Sequence, residues 1–143
     1  MDNLKLKIKK IHPKAIIPNY AYSWDAGMDF YSVEECVINP GEHKGISTGI
    51  QMAIPSGFVG LIWDKSGLAL NNGLKTMAGV IDSGYRGEII IVLLNTSNKI
   101  MEIKPGFKIA QMLIQKVEKP EIKETDSLDK TLRGDDGFGS TGQ

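Results

Sequence analysis

Arg133-Gly-Asp-Asp-Gly-Phe-Gly-Ser-Thr-Gly-Gln143 packs four glycines, one arginine, one phenylalanine and two hydroxyls into a single stretch. Such residues build no core, but they can fold over a ligand that carries phosphates at one end and a flat ring at the other. Glycine lets backbone N–H groups approach phosphate oxygens closely and take the positive φ angles of an anion-binding nest. Arg133 offers a planar, permanently charged fork to a terminal phosphate, and Phe138 offers a face on which a base can stack. The same residues also read as a flexible Gly/Ser tail, so the weight of the first reading rests on matching chemistry elsewhere in the chain.

Four other stretches carry such chemistry. Gly79-Val-Ile-Asp-Ser-Gly-Tyr-Arg-Gly-Glu88 reads as a strand, a tight turn and a returning strand. Asp82 at the strand end could orient and partly deprotonate a water, and Tyr85 could lay its ring beneath a sugar. Alternatively Asp82 is a turn-stabilising Asx residue and Tyr85 is half-buried hairpin packing. Asp64-Lys-Ser-Gly-Leu68 follows the apolar run Phe58–Trp63 and opens a short helix, so N–H groups and the Lys65 charge could cradle phosphate. It lacks the spacing of a Walker A loop. In Ala26-Gly-Met-Asp-Phe-Tyr31 an acidic residue, Asp29, sits in a strand-like setting after a glycine. In Gly106-Phe-Lys-Ile-Ala-Gln-Met112, Gln111 interrupts an apolar strand and needs partners, which a ligand phosphate, a water or the backbone could supply.

The elements that must position these residues are short and β-like. Leu4–Ile11, Cys36–Ile38, His43–Ser47, Ile50–Ile54, Phe58–Trp63, Glu88–Asn95, Ile100–Ile103 and Phe107–Val117 are separated by turn signals such as Asn39-Pro40-Gly41, Pro55-Ser56-Gly57 and Lys104-Pro105-Gly106. Turns at this spacing predict an all-β antiparallel sandwich or jelly roll rather than βαβ units, with one short helix over Ser66–Asn71. With 143 residues the chain makes one domain with a proper core. Residues 1–117 read as the sandwich. From 118 to 143 the composition turns polar, and the segment reads as an extended arm carrying the terminal motif. If that arm crosses to a neighbouring subunit, the ligand site is shared and the protein is an oligomer.

Seventeen basic and seventeen acidic side chains cancel, so no net field draws nucleic acid or an anionic membrane. The Lys-rich opening, Lys5 to Lys10, alternates with Leu and Ile and reads as a strand with one solvated face rather than a basic stripe. It is too short and too charged for a signal peptide, and no apolar run is long enough to span a bilayer. The single cysteine, Cys36, reads as a buried structural thiol, which points to a cytoplasmic protein. Neither His12 nor His43 has neighbours that suggest zinc or catalysis.

In this order the five stretches resemble the five motifs of the trimeric dUTP diphosphatase (dUTPase) family: Ala26–Tyr31, Lys65–Leu68, Gly79–Glu88, Gly106–Met112 and Arg133–Gly142. The resemblance implies a jelly-roll-like homotrimer with sites shared between subunits, and hydrolysis of dUTP to dUMP and pyrophosphate. Asp82 would activate the water that attacks the α-phosphorus, with Gln111 beside it. Tyr85 would exclude a ribose 2′-hydroxyl, while the backbone of Gly79, Val80 and Ile81 reads the uracil edge, with Thr76 and Ile90 as further substrate contacts. Lys65, Ser66 and Gly67 would hold the inner phosphates. Arg133, Gly139, Ser140 and Thr141 would close on the γ-phosphate while Phe138 stacks on uracil. Mg²⁺ would be held mainly by triphosphate oxygens and waters, with Asp29 reaching it through a water.

Two positions depart from the family pattern. Lys65 stands where arginine is common, which keeps the charge but loses the bidentate fork. Asp135 and Asp136 place two carboxylates beside the proposed γ-phosphate site. Two other functions are compatible with the same residues. A dCTP deaminase, or a bifunctional dCTP deaminase/dUTPase, would share the sandwich. A non-catalytic dUTP-binding sensor would keep the fold without turnover.

Overall fold

Alternating buried and open positions along the strands build two antiparallel sheets that close on one core, as expected of runs with period two. The computed structural model describes residues 4–142, so Gln143 at the end of the glycine-rich motif lies outside the described residues. The first sheet contains β1 (Lys7–Lys10), β4 (His43–Ala53), β8 (Glu88–Asn95) and β6 (Leu74–Met77), in the order β1-β4-β8-β6. The second contains β2 (Met28–Tyr31), β10 (Lys108–Lys116), β5 (Phe58–Trp63) and β7 (Val80–Ile81), in the order β2-β10-β5-β7. A small third sheet pairs β3 (Cys36–Ile38) with β9 (Met101–Ile103). The helix α1 spans Ser66–Asn72 and ends on Gly73, whose left-handed backbone accommodates the turn out of it. This is a β-sandwich of jelly-roll type. Phe30, Ile46, Ile50, Ile89, Ile91, Leu93, Ile109 and Met112 are among the residues that fill the space between the sheets.

Several expectations change in ways with clear physical causes. His43–Ser47 and Ile50–Ile54, expected as separate strands, are one strand, β4, with an irregularity in its pairing to β8 between Ser47 and Gln51. Gly49 turns to φ +66° there, where a Cβ would stand 2.6 Å from that of His12. The carboxylate of Glu88 stitches this bulge by accepting from Ser47 Oγ and from the Gly49 N–H at 2.7 Å. A bulge disturbs the sequence period without ending the strand. The opening strand is confined to Lys7–Lys10 rather than Leu4–Ile11.

Strands β7 and β8 are not a paired hairpin. β7 pairs with β5 in the second sheet, while β8 pairs with β4 and β6 in the first. The Asp82–Gly87 connection is therefore a corner from one sheet to the other. Cys36 is half-buried, not buried, because its strand lies in the small peripheral sheet. Burial, with Glu34 nearby, still pushes its thiol pKa up. No helix among the described residues is long and apolar enough to cross a membrane. Beyond Lys116 the described chain forms no strand or helix, and from Val117 to Gly142 nearly every residue is exposed.

Candidate active site

At the start of β10 the sequence places Lys108, Ile109, Ala110 and Gln111 in succession. A register shift against β2 between Lys108 and Ala110 lets both Ile109 and Ala110 turn inward. The strand then resumes alternation, with Met112 in the core and Gln111 only partly buried. Gln111 lies between Asp29 of β2 and Trp63 of β5 in the ladder. Its Nε2 donates to the Asp64 carbonyl at 2.8 Å. Its other edge faces Gly27, where a Cβ would fall onto the Gln111 carboxamide, 2.9 Å from Cδ. Glycine at position 27 thus makes the room that this side chain occupies.

Asp29 is almost fully buried, 2% exposed, yet stays ionised between two lysines. Lys65 Nζ donates to Oδ1 at 2.5 Å, and Lys108 Nζ stands 2.9 Å from Oδ2. Burial alone would raise the carboxyl pKa. The two ammonium groups outweigh it and hold Asp29 below its ordinary value. Oδ2 has no well-aligned hydrogen bond despite its ion pair with Lys108. Lys65 caps α1, and the first helical bond runs from the Ala69 N–H to the Lys65 carbonyl at 2.9 Å. The N–H groups of Ser66 and Gly67 therefore precede any intrahelical partner. Asp29, Lys65, Ser66 and Gln111 line one cavity of about 740 Å³, together with Trp63 and Asp64.

The sheet-crossing corner gathers a second group. Asp82, Tyr85, Ile90, Val80 and Ile81 line a cavity of about 160 Å³ with Glu88. The turn is closed by the Tyr85 N–H donating to the Asp82 carbonyl at 3.1 Å, and Tyr85 Oη donates to the Glu88 carbonyl at 2.9 Å. The tyrosine ring thereby folds back over Gly87, where any Cβ would run into it. Asp82 itself stays exposed at the cavity mouth. A third cavity, about 220 Å³, joins Thr76, Gly79 and Val80. Gly79 sits at φ +109° with its carbonyl accepting from the Ile62 N–H at 2.9 Å, and a Cβ there would meet Ile62. Thr76 is not an open polar contact, since both its N–H and its Oγ1 donate to Asp64 Oδ1 at 2.6 Å.

Arg133, Phe138, Gly139, Ser140 and Thr141 stand apart from all three cavities. Phe138 is fully exposed at φ +49°, and Arg133 Nε donates only to the Asp136 carbonyl, at 3.0 Å. Sequence reasoning gave no role to Asp64, Lys108 or Gly27. Asp64 and Lys108 were visible as charged residues bounding apolar runs, but only pairing across strands shows what they hold. No cluster of three or more His, Cys, Asp or Glu suited to a metal ion occurs among the described residues.

A family model described as dUTPase matches residues 13–142. The chain is 46% identical over 145 residues to the deoxyuridine 5'-triphosphate nucleotidohydrolase of Clostridium tetani, and the match covers 100% of both. It is also 46% identical over 142 residues to that of Nautilia profundicola, covering 98% of this chain and 100% of the relative. Among solved structures, a variant dUTPase of Staphylococcus bacteriophage 80alpha with dUpNHpp matches at a TM-score of 0.91 and 29% identity, over 97% of this chain and 99% of that one. A variant dUTPase from phage phi11 of S. aureus, whose structure concerns the coordination of a structural Mg(II) ion, matches at a TM-score of 0.82 and 26% identity, over 88% and 99%. Because the family match takes in the cradle, the corner and all but the last residue of the glycine-rich tail, the chain belongs to the dUTPase family.

Proposed function

We propose that this chain hydrolyses dUTP to dUMP and pyrophosphate, with Asp82 as the base that activates water. The observation that carries the reading is the corner, where the Asp82 carboxylate, the Tyr85 ring and Ile90 share one cavity. An exposed carboxylate beside an aromatic floor suits a water and a deoxyribose together. Asp82 accepts a proton from the attacking water, which adds to the α-phosphorus as pyrophosphate leaves. The fixed Tyr85 ring leaves no space for a 2′-hydroxyl. The backbone of Gly79, Val80 and Ile81 offers donors and acceptors to the uracil edge, a kind of selection that discriminates strongly. Thr76 lines the adjoining cavity with Gly79 and Val80 and is held there by its bonds to Asp64.

Ser66, Gly67 and Lys65 receive the inner phosphates, and Gln111 sits beside the α-phosphate and the water. Arg133, Gly139, Ser140 and Thr141 close on the γ-phosphate as Phe138 covers the base, which excludes bulk water. Cradle and corner residues line separate cavities, and the arm touches neither. That partition supports a homotrimer in which neighbouring subunits complete each site. Mg²⁺ fits here as a companion of the triphosphate. Asp29 Oδ2 is the buried oxygen that lacks an aligned hydrogen bond, and it would reach the ion through water. When bound, the ion neutralises triphosphate charge and keeps the chain of phosphates in one conformation. The enzyme so described handles free nucleotides in the cytoplasm and needs no nucleic acid or membrane.

The test is pyrophosphate release with Mg²⁺ from dUTP, dCTP, dTTP and UTP, with Asp82→Asn in parallel. Turnover of dUTP alone, reduced about 10²- to 10⁴-fold in the variant, is the expected result. Ammonia from dCTP would move the chain to deamination, and tight dUTP binding without turnover would make it a sensor.

A further inference from the structure

Asp64 joins three strands, β5 and β10, which pair in the second sheet, and β6, which lies in the first. It leaves β5 in the second sheet, and its Oδ1 accepts from the N–H and Oγ1 of Thr76, in β6 of the first sheet, at 2.6 Å each. Oδ2 pairs with Lys75 Nζ at 3.0 Å. The main-chain carbonyl of the same residue accepts from Gln111 Nε2 at 2.8 Å. One side chain therefore ties the sheets together, and its own carbonyl fixes the carboxamide that lines the phosphate cavity. With Nε2 directed at that carbonyl and Gly27 leaving room for the other edge, the Gln111 amide has one orientation.

We infer that Asp64 is a positioning residue for hydrolysis, holding Gln111 in register with the α-phosphate through the clamp on Thr76. The inference rests on the reading of Gln111 given above. A carbonyl that shifts when its clamp is cut moves the carboxamide with it. Displacements of about 1 Å in such groups lower turnover by up to about 100-fold without greatly changing ground-state binding. The charge of Asp64 matters less than its acceptor geometry, because Thr76 supplies two neutral donors. Asparagine keeps an acceptor for them and loses only the exposed ion pair with Lys75.

The experiment is a double-mutant cycle on the whole protein with dUTP and Mg²⁺, using Asp64→Ala, Asp64→Asn, Gln111→Ala and the Asp64→Ala/Gln111→Ala pair. Asp64→Ala is expected to lower kcat by about 10- to 100-fold with KM changed by less than about threefold. Asp64→Asn restores most of kcat, and the pair is no slower than Gln111→Ala alone. The side-chain amide ¹⁵N signals of Gln111 should shift in Asp64→Ala and return in Asp64→Asn. Independent, multiplying losses in the pair, or unmoved Gln111 signals, would overturn the positioning role while leaving Gln111 catalytic. Full activity in Gln111→Ala would instead remove the reading of Gln111 and this inference with it. Should Asp64→Ala fail to fold, Thr76→Val cuts one bond of the clamp. It is expected to lower kcat less, and only while Gln111 is present; parental kcat in Thr76→Val would overturn the inference.

Discussion

Around Asp64 one residue collects two bonds from Thr76, an ion pair from Lys75 and the carboxamide of Gln111, partners that come from two strands in different sheets. Around Arg133 the guanidinium reaches only the Asp136 carbonyl, three residues along the same arm. The arm's other backbone bonds are equally local, such as Ser140 N–H to the Gly137 carbonyl at 3.1 Å and Gly142 N–H to the Gly139 carbonyl at 3.0 Å. Both regions carry groups suited to phosphate. The cradle's Asp29, Lys65 and Gln111 have their geometry before any ligand arrives, since each is held by a residue from elsewhere in the fold. The arm holds only short turns of its own, and its ordering over a ligand must be driven by that ligand. On the proposed reading, positioning is thus built into the sandwich, and closure of the arm is left to binding.

The largest effect should come from removing the recruited half. Deleting residues 133–143 is expected to abolish dUTP turnover while the melting temperature stays within about 2 °C of the parent, because the arm buries almost nothing. Pyrophosphate release and a thermal melt check both parts. Full activity in the truncated protein would refute the closure, and a large fall in melting temperature would show that the arm is fixed after all.

Substituting Gly27→Ala attacks the built half. The added methyl falls onto the Gln111 carboxamide, 2.9 Å from Cδ, so either the amide leaves the Asp64 carbonyl or the backbone of Ala26 and Met28 yields. Overpacking of this kind costs about 1–3 kcal/mol, and misplacement of Gln111 adds a loss of about tenfold or more in kcat. Chemical denaturation and steady-state kinetics read the two separately. An unchanged kcat would show that the cradle adapts as freely as the arm.

How far the sequence foretold this division differs from element to element. The cradle, the corner and the tail could be found because glycines, a lone aspartate and a lysine interrupt apolar runs, and because their order resembles a known family. Strand pairing could not be found in the same way. Asp82–Gly87 looks like a hairpin tip in one dimension, and only the pairing of β7 with β5 and of β8 with β4 makes it a corner between sheets. β6, Leu74–Met77, escaped because four residues of mixed polarity leave too little period to read. Thr76 sat on it unseen as the partner of Asp64, and Lys108 unseen as the partner of Asp29, since both contacts join residues far apart in the chain.

Acid should unmake the fixed half in a definite way. Asp29 is held below its ordinary value of 3.8, burial opposing and Lys65 and Lys108 prevailing, and Asp64 is held low against burial by Thr76 and Lys75. A depressed folded-state pKa gives stability that is complete above the unfolded value and is lost as pH falls through the folded one. Melting temperature should therefore be flat above about pH 5 and fall below about pH 4. Asp29→Asn should be less stable at neutral pH, with its lysines left unpaired, and should show a shallower acid fall than the parent. A parallel fall in both proteins would place the acid sensitivity elsewhere.

The smallest and most discriminating change is Lys65→Arg. Lys65 Nζ bonds to Asp29, so the ammonium belongs to the fixed cradle while Lys65 also lines the cavity proposed for the phosphates. A guanidinium can keep Asp29 on one edge and present the other as a fork to phosphate, which an ammonium cannot do. If the cradle is as settled as its bonds imply, arginine should lower KM for dUTP by about two- to fivefold, the scale of part of one charge-assisted hydrogen bond, with kcat nearly unchanged. If KM rises instead, the longer side chain has broken the pair with Asp29. The lysine would then be there for its fit between carboxylate and phosphate rather than as a lesser arginine. Either sign tells how tightly the prebuilt half of the site is set before the arm arrives.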